Sequence, residues 1–168
     1  VKADDAWRPL GQVNEWIRFA DTKAAATLAG SSVLGGILVR SIPRASDFHH
    51  DAIHAIHAIV LSLAIVCIGA SAVISLRTLA PRLRSLGEPD SMIYFDHIAR
   101  RYGSDKELYI RRFVRLSAKD NLVAEQVVEQ IWANSCVARR KFQHVALAIY
   151  LLGAGMILSG LAVLVQRL

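Results

Sequence analysis

The chain has 168 residues, enough for one domain; 54% are apolar, 20% are charged and the formal net charge is +6. With a positive mean hydropathy, this excludes a soluble domain of evenly mixed sequence, since that much apolar side chain beside that much charge must be concentrated in blocks. The two cysteines, Cys67 in an apolar block and Cys136 in a polar helical segment, exclude a disulfide framework.

In chain order, the first element is polar. It starts near Asp4 and Asp5, tolerates Pro9 in an opening turn, and repeats Leu10, Val13, Ile17 and Ala20 at helical spacing. This predicts an amphipathic helix that runs straight into an apolar block, Ala24–Ile42, with Trp7 and Trp16 suited to headgroup level. A bilayer core takes about 20 helical residues, and Arg40 reaches the interface by snorkelling. A cleaved signal peptide is the competing reading of an early apolar run; a long polar helix ahead of it, Asp21 beside it and the lack of a small-residue cleavage site weigh against it.

A brief loop over 43–51 leads to a second apolar block, residues 53–76. Pro81 and Gly87–Glu88–Pro89–Asp90 then interrupt the helix. Ser91–Tyr102 reads as a short helix capped by Ser91 and ended at Gly103. Ser104 with Glu107 reads as a capping box for a helix through Leu116. Asp120 opens a last helix with Leu122, Val123, Val127, Ile131 and the region of Cys136 and Val137 on one face. It continues unbroken through Arg139, Arg140 and Lys141 into a third apolar block, 145–165. The expected fold is an all-α membrane protein: one domain over 1–168, transmembrane helices at about 24–42, 53–76 and 145–165, and a small helical cytoplasmic region over 77–143.

Seventeen of the 20 Lys and Arg residues precede the first span or lie between the second and third. Positive charge stays inside, so the N-terminus and 77–143 are expected in the cytoplasm, with 43–51 and the C-terminal tip outside. The same distribution accounts for the basic pI without nucleic acid, because charges flanking spans meet anionic headgroups. No nucleic-acid partner is expected.

Four histidines, His49, His50, His54 and His57, are the sharpest metal-like signal, and 50, 54 and 57 share a helical face. They lack an accompanying Glu or Cys, and no metal is expected there. Asp21 and Lys23 precede three alanines; a positive-inside anchor explains Lys23 but not Asp21, whose carboxylate at a bilayer boundary calls for Lys23, Arg139, Arg140 or Lys141. Small residues recur four apart (Ser31 and Gly35, Ser32 and Gly36, Gly155 and Ser159), a spacing that lets backbones approach closely in lipid. Tyr94, Phe95, Tyr102, Tyr109, Phe113, Trp132 and Phe142 stand among Arg100, Arg101, Arg111, Arg112 and Arg115. A nucleotide site is chemically feasible there, although helically spaced aromatics also serve a core. No nucleophile with its base, paired carboxylates or Gly-rich phosphate cradle is present, so an enzyme is not expected.

Four runs recur in the order and spacing of a known family: Trp16–Ile17–Arg18–Phe19–Ala20–Asp21–Thr22–Lys23–Ala24–Ala25; Ala80–Pro81–Arg82; Met92–Ile93–Tyr94–Phe95–Asp96–His97–Ile98–Ala99; and Glu129–Gln130–Ile131–Trp132–Ala133–Asn134–Ser135 followed by Val137–Ala138–Arg139–Arg140–Lys141–Phe142. The chain resembles the transmembrane effectors of the Pycsar anti-phage systems. The Phe–Ala–Asp–Thr–Lys–Ala run is the most specific part of the match. The resemblance implies a partner pyrimidine cyclase, a cyclic UMP or cyclic CMP messenger as ligand with no other cofactor, and action as a homo-oligomer on the lipid bilayer of the bacterial inner membrane, leading to abortive infection. Asp21, Lys23, Tyr94, Arg139 and Lys141 are the residues expected to meet the messenger. The rival reading is a ligand-responsive channel or sensor subunit unrelated to phage defence.

Overall fold

A computed structural model describes residues 3–41, 52–80 and 91–166. Among them are five helices and no strand: α1 (Ala3–Arg40), α2 (Ala52–Leu79), α3 (Phe95–Tyr102), α4 (Lys106–Ser117) and α5 (Asp120–Gln166). Three of the described helices, α1, α2 and α5, are long and apolar enough to cross a membrane. The all-α class with three such helices is therefore observed. The polar N-terminal helix does run into the first apolar block, and α5 continues through Arg139, Arg140 and Lys141 without a break. Ile42, His49 and His50 lie outside the described residues, whereas His54 and His57 stand in the opening turns of α2.

The buried positions follow a rule finer than hydropathy. On α2 they are Leu61, Ala64, Ile68, Ser71, Ser75 and Thr78, spaced alternately three and four apart. Ala20, Ala24, Thr27 and Ser31 keep the same alternation on α1, as do Val145 and Ala148 on α5. A period of 3.5 keeps one narrow seam of each helix facing its partners, the condition for left-handed helix packing. Small residues fill much of that seam, as lipid-embedded helices require.

The chain divides into two compact units, one from Val1–Phe19 and Pro81–Arg140, the other from Ala20–Ala80 and Lys141–Leu168. Helices α1 and α5 contribute a stretch to each. The first unit has a core of Ala6, Leu10 and Val127, with Ile93, Val123 and Ile131 packed against it. Asn134 Nδ2 donates to Asn14 Oδ1 at 2.7 Å, and Gln130 Nε2 donates to Asn134 Oδ1 at 2.7 Å. Two of the expected caps are corrected. Ser91 Oγ accepts from the amides of Ile93 and Tyr94 at 3.3 and 3.1 Å, which forms a turn ahead of the helix, so α3 begins only at Phe95. The α4 cap is Asp105, not Ser104: its carboxylate accepts from Leu108 N at 2.8 Å, and a carboxylate also suits the positive end of the helix better than a hydroxyl. Asp105→Ala is expected to cost about 1 kcal/mol locally, read as faster hydrogen exchange at the first-turn amides of α4 with the amides of α5 unchanged. Equal exchange in both proteins would dismiss the cap.

The second unit holds the apolar seams. Antiparallel α1 and α2 are registered by Ser31 Oγ donating to Ser71 Oγ at 3.1 Å, and Ser71 Oγ donates in turn to the carbonyl of Ala148 on α5 at 2.7 Å. One hydroxyl thus ties three helices. At one end Ala20, Ala24 and Val145 are buried beside Leu79 and Phe142. At the other Leu38, Leu61, Ala64, Ile68 and Ala162 form the core. Of the small-residue pairs, Ser31 and Gly155 are buried and Gly35 meets Ile68 Cγ2 at 3.7 Å from its virtual Cβ position. The pair Ser32 and Gly36 is on the outer surface of the unit, where a Cβ at Gly36 would meet nothing within 4 Å.

Candidate functional site

Of the five expected messenger residues, Asp21, Lys23 and Lys141 belong to the second unit, and Tyr94 and Arg139 to the first. The structure brings Asp21 and Lys141 together: Lys141 Nζ donates to Asp21 Oδ1 at 2.5 Å, with the lysine and aspartate side chains 22% and 35% exposed. The pairing follows from the seams. Asp21 directly follows Ala20 on α1, and Lys141 lies one turn before Val145 on α5, both of them buried in one cluster. The carboxylate that hydropathy left unexplained is thus one half of an ion pair at the end of the apolar region. Lys23, about 200° further round the helix from Asp21, is on an exposed face, and its carbonyl accepts from Thr27 Oγ1 at 2.8 Å.

Tyr94 stands at the start of α3, half-buried. Its ring lies 4.9 Å from Phe95 and edge-on to His97 at 5.0 Å, and His97 Nδ1 accepts from Ser91 N at 3.1 Å. Tyr102, Tyr109 and Phe113 form a run of ring contacts at 5.4 and 5.7 Å. Arg112 Nη1 donates to the Tyr102 hydroxyl at 3.5 Å, and the Arg101 guanidinium lies 5.8 Å from the same ring. Arg139 is exposed on α5. Of this cluster Tyr102 is buried and Tyr94 and Tyr109 are half-buried, whereas Phe95, Phe113, Trp132 and the five arginines are exposed.

Two features escaped the sequence reading. One is a cavity of about 250 Å³ within the first unit, lined by Trp7, Met92, Ile93, Tyr109 and Phe113 among others. Its aromatic walls were legible as residues, but their convergence from α1, α4 and the turn before α3 was not. The other is the buried hydroxyl series Thr27, Ser31, Ser71, Ser75 and Thr78. The signal was present as polar residues three and four apart in α2, a spacing that the apolar tally of that helix hides.

These features define a helical membrane protein with an ion pair at one end of its apolar unit and a separate polar helical unit. A family model described as the Pycsar effector protein domain matches residues 5–166, and the chain belongs to that family. It is a membrane effector of anti-phage defence. Among curated proteins, the chain is similar to Pycsar effector protein MePycTM of Micromonospora echinofusca, 55% identical over 56 residues, which are 33% of this chain and 95% of that protein. It is also similar to Pycsar effector protein PtPycTM of Propioniciclava tarda, 27% identical over 144 residues, covering 84% of this chain and 69% of that protein. No solved structure matches.

Proposed function

We propose that the protein senses cyclic UMP or cyclic CMP made by a partner pyrimidine cyclase and answers by impairing the inner membrane, so that an infected cell dies before phage mature. The match of the family over residues 5–166, on a chain whose described residues include three helices long and apolar enough to cross a bilayer, carries this reading. The excess of Lys and Arg before the first span and between the second and third supports a cytoplasmic N-terminus and a cytoplasmic 77–143 segment, where the messenger is made. The open outer face at Ser32 and Gly36 supports assembly of several copies, because small residues let a second helix approach in lipid.

Within the second unit, Asp21, Lys23 and Lys141 offer charges to a cyclic phosphate and a hydrogen-bonding base edge. Within the first, Tyr94 offers a stacking face and Arg139 a phosphate partner. Each group is proposed by itself as a place of messenger contact. A messenger opens the membrane only if it binds the damaging state more tightly than the resting one. Titrating the purified full chain with cyclic UMP, cyclic CMP and cyclic AMP tests the reading. Saturable binding of one pyrimidine nucleotide, with cyclic AMP at least tenfold weaker, is expected, together with depolarisation of cells that co-express the cyclase. Depolarisation without a cyclase and no binding of either pyrimidine nucleotide would favour the rival, a channel or sensor for another ligand.

A further inference from the structure

The interior of the second unit is polar where packing alone would make it apolar. Thr27 and Ser31 on α1 and Ser71, Ser75 and Thr78 on α2 are all buried. Most of their protons are committed to backbone carbonyls. Thr27 donates to Lys23 O at 2.8 Å, Thr78 to Ile74 O at 2.8 Å and Ser71 to Ala148 O at 2.7 Å. Ser31 has one proton for two acceptors, Thr27 O at 2.8 Å and Ser71 Oγ at 3.1 Å. Ser75 Oγ, 0% exposed, has no hydrogen-bond partner among the described residues. An unpaired hydroxyl buried in the membrane is unfavourable until water reaches it, and the antiparallel register set by Ser31 and Ser71 carries Thr27 toward the same level.

Next along the seam is an apolar closure. Ile68, 2% exposed, lies against Gly35 and Gly155, two residues with no side chain to fill the space themselves. Leu61, Ala64, Leu38 and Ala162 continue the apolar core. Ile68 is therefore the first bulky side chain between the hydroxyl layer and the apolar core of Leu61, Leu38 and Ala162. Apolar constrictions of this kind exclude water when closed and admit it when the side chain moves.

We infer that this hydroxyl layer is part of the path by which water and small monovalent cations cross the membrane unit, with Ile68 as its gate. The inference rests on the reading that the protein impairs the membrane, and it locates where. Cations are the ions that fit, because Thr27, Ser31, Ser71 and Thr78 have their protons held by protein acceptors and offer only lone pairs, which leaves Ser75 as the one hydroxyl of the layer with a donor to spare for an anion.

The test uses the full chain in liposomes with Cys67→Ala and Cys136→Ala, and one new cysteine at a time. Ser75→Cys reports on the path, and Val73→Cys, on the outer face of α2 at 51% exposure, reports on lipid. Ile68→Ser is added to open the gate without any nucleotide. A cationic methanethiosulfonate is expected to modify Ser75→Cys at least tenfold faster when Ile68→Ser is present, with Val73→Cys unchanged, and potassium efflux is expected to rise in parallel. Where Ile68→Ser does not accumulate in the membrane, Ile68→Thr replaces it, since threonine keeps the branched shape and most of the volume at this buried position while putting a hydroxyl in the constriction. A gate variant that reaches the membrane but leaves Ser75→Cys unreactive overturns the path, and so does a leak carried by chloride. No nucleotide enters these measurements, so a failure of messenger sensing does not disturb them. Nucleotide-triggered depolarisation with Ser75→Cys still unreactive would sink the path and leave the sensing reading standing.

Discussion

Gly155→Leu is expected to prevent the second unit from packing, at a cost of about 3 kcal/mol or more, because overpacking a close helix contact forces backbones apart. Even a single Cβ at Gly155 would stand 2.5 Å from Ile68 Cγ1 and 3.3 Å from the carbonyl of Ala64, and the second of these is backbone that cannot rotate away. Ser31→Leu is expected to be nearly as severe, since it removes a bond to Ser71 and inserts volume at a buried position. Gly35→Leu should be milder, because its nearest contact is ordinary at 3.7 Å. Ser159→Leu should be milder again, because Ser159 is only half-buried. Gly36 and Gly160 have open space around a virtual Cβ, so alanine there should be neutral or stabilise the helix by a few tenths up to about 1 kcal/mol. The order is read from heat-induced loss of the monodisperse peak in detergent. Equal behaviour of Gly155→Leu and Gly36→Leu would mean that the close α2–α5 contact does not exist in the membrane. Crosslinking of the Gly36→Leu protein separately reports whether the outer face joins copies of the chain.

The second large effect is expected at Asp21 and Lys141. Removing either charge leaves the other at the end of an apolar unit without its ion-pair partner, whereas removing both removes the mismatch. The pair is neither fully exposed nor fully buried, so a coupling of about 1–2 kcal/mol is expected, between the values for surface and interior pairs. A double-mutant cycle of Asp21→Asn and Lys141→Met, scored by thermal stability in detergent, measures it. Additive effects would show that the two groups do not interact. The same proteins, expressed with the cyclase, separate anchoring from switching. If the pair holds the resting state that the messenger releases, both single variants should reach the membrane at normal level while their depolarisation response changes at least tenfold. Lys23→Met serves as the comparison, because Lys23 lies on another face of α1 and should leave the Asp21 coupling intact.

Sequence alone determined the helices, because an α-helix satisfies its backbone within its own segment and each apolar block reports its length directly. The unbroken run of α5 from Asp120 through Lys141 was legible for that reason, as was the entry of the polar N-terminal helix into the first span. Rotation was not. Helix α2 is apolar on every side, since one face meets lipid and another meets helices, so hydropathy carries no phase. Only the three-and-four spacing of Ser71, Ser75 and Thr78 marks its inner face, and those residues acquire meaning when Ser31 and Ala148 arrive from other helices. In α5 the face read as Leu122, Val123, Val127, Ile131 and the region of Cys136 and Val137 is the inner one in its first half, where Val127 is buried with Val123 and Ile131 against it; further along, Ala138 is buried and Val137 exposed. Four cations were open to Asp21 by sequence. Tertiary structure chose Lys141, because partner choice depends on which seams face one another, and that is settled by the packing of side chains far apart in the chain.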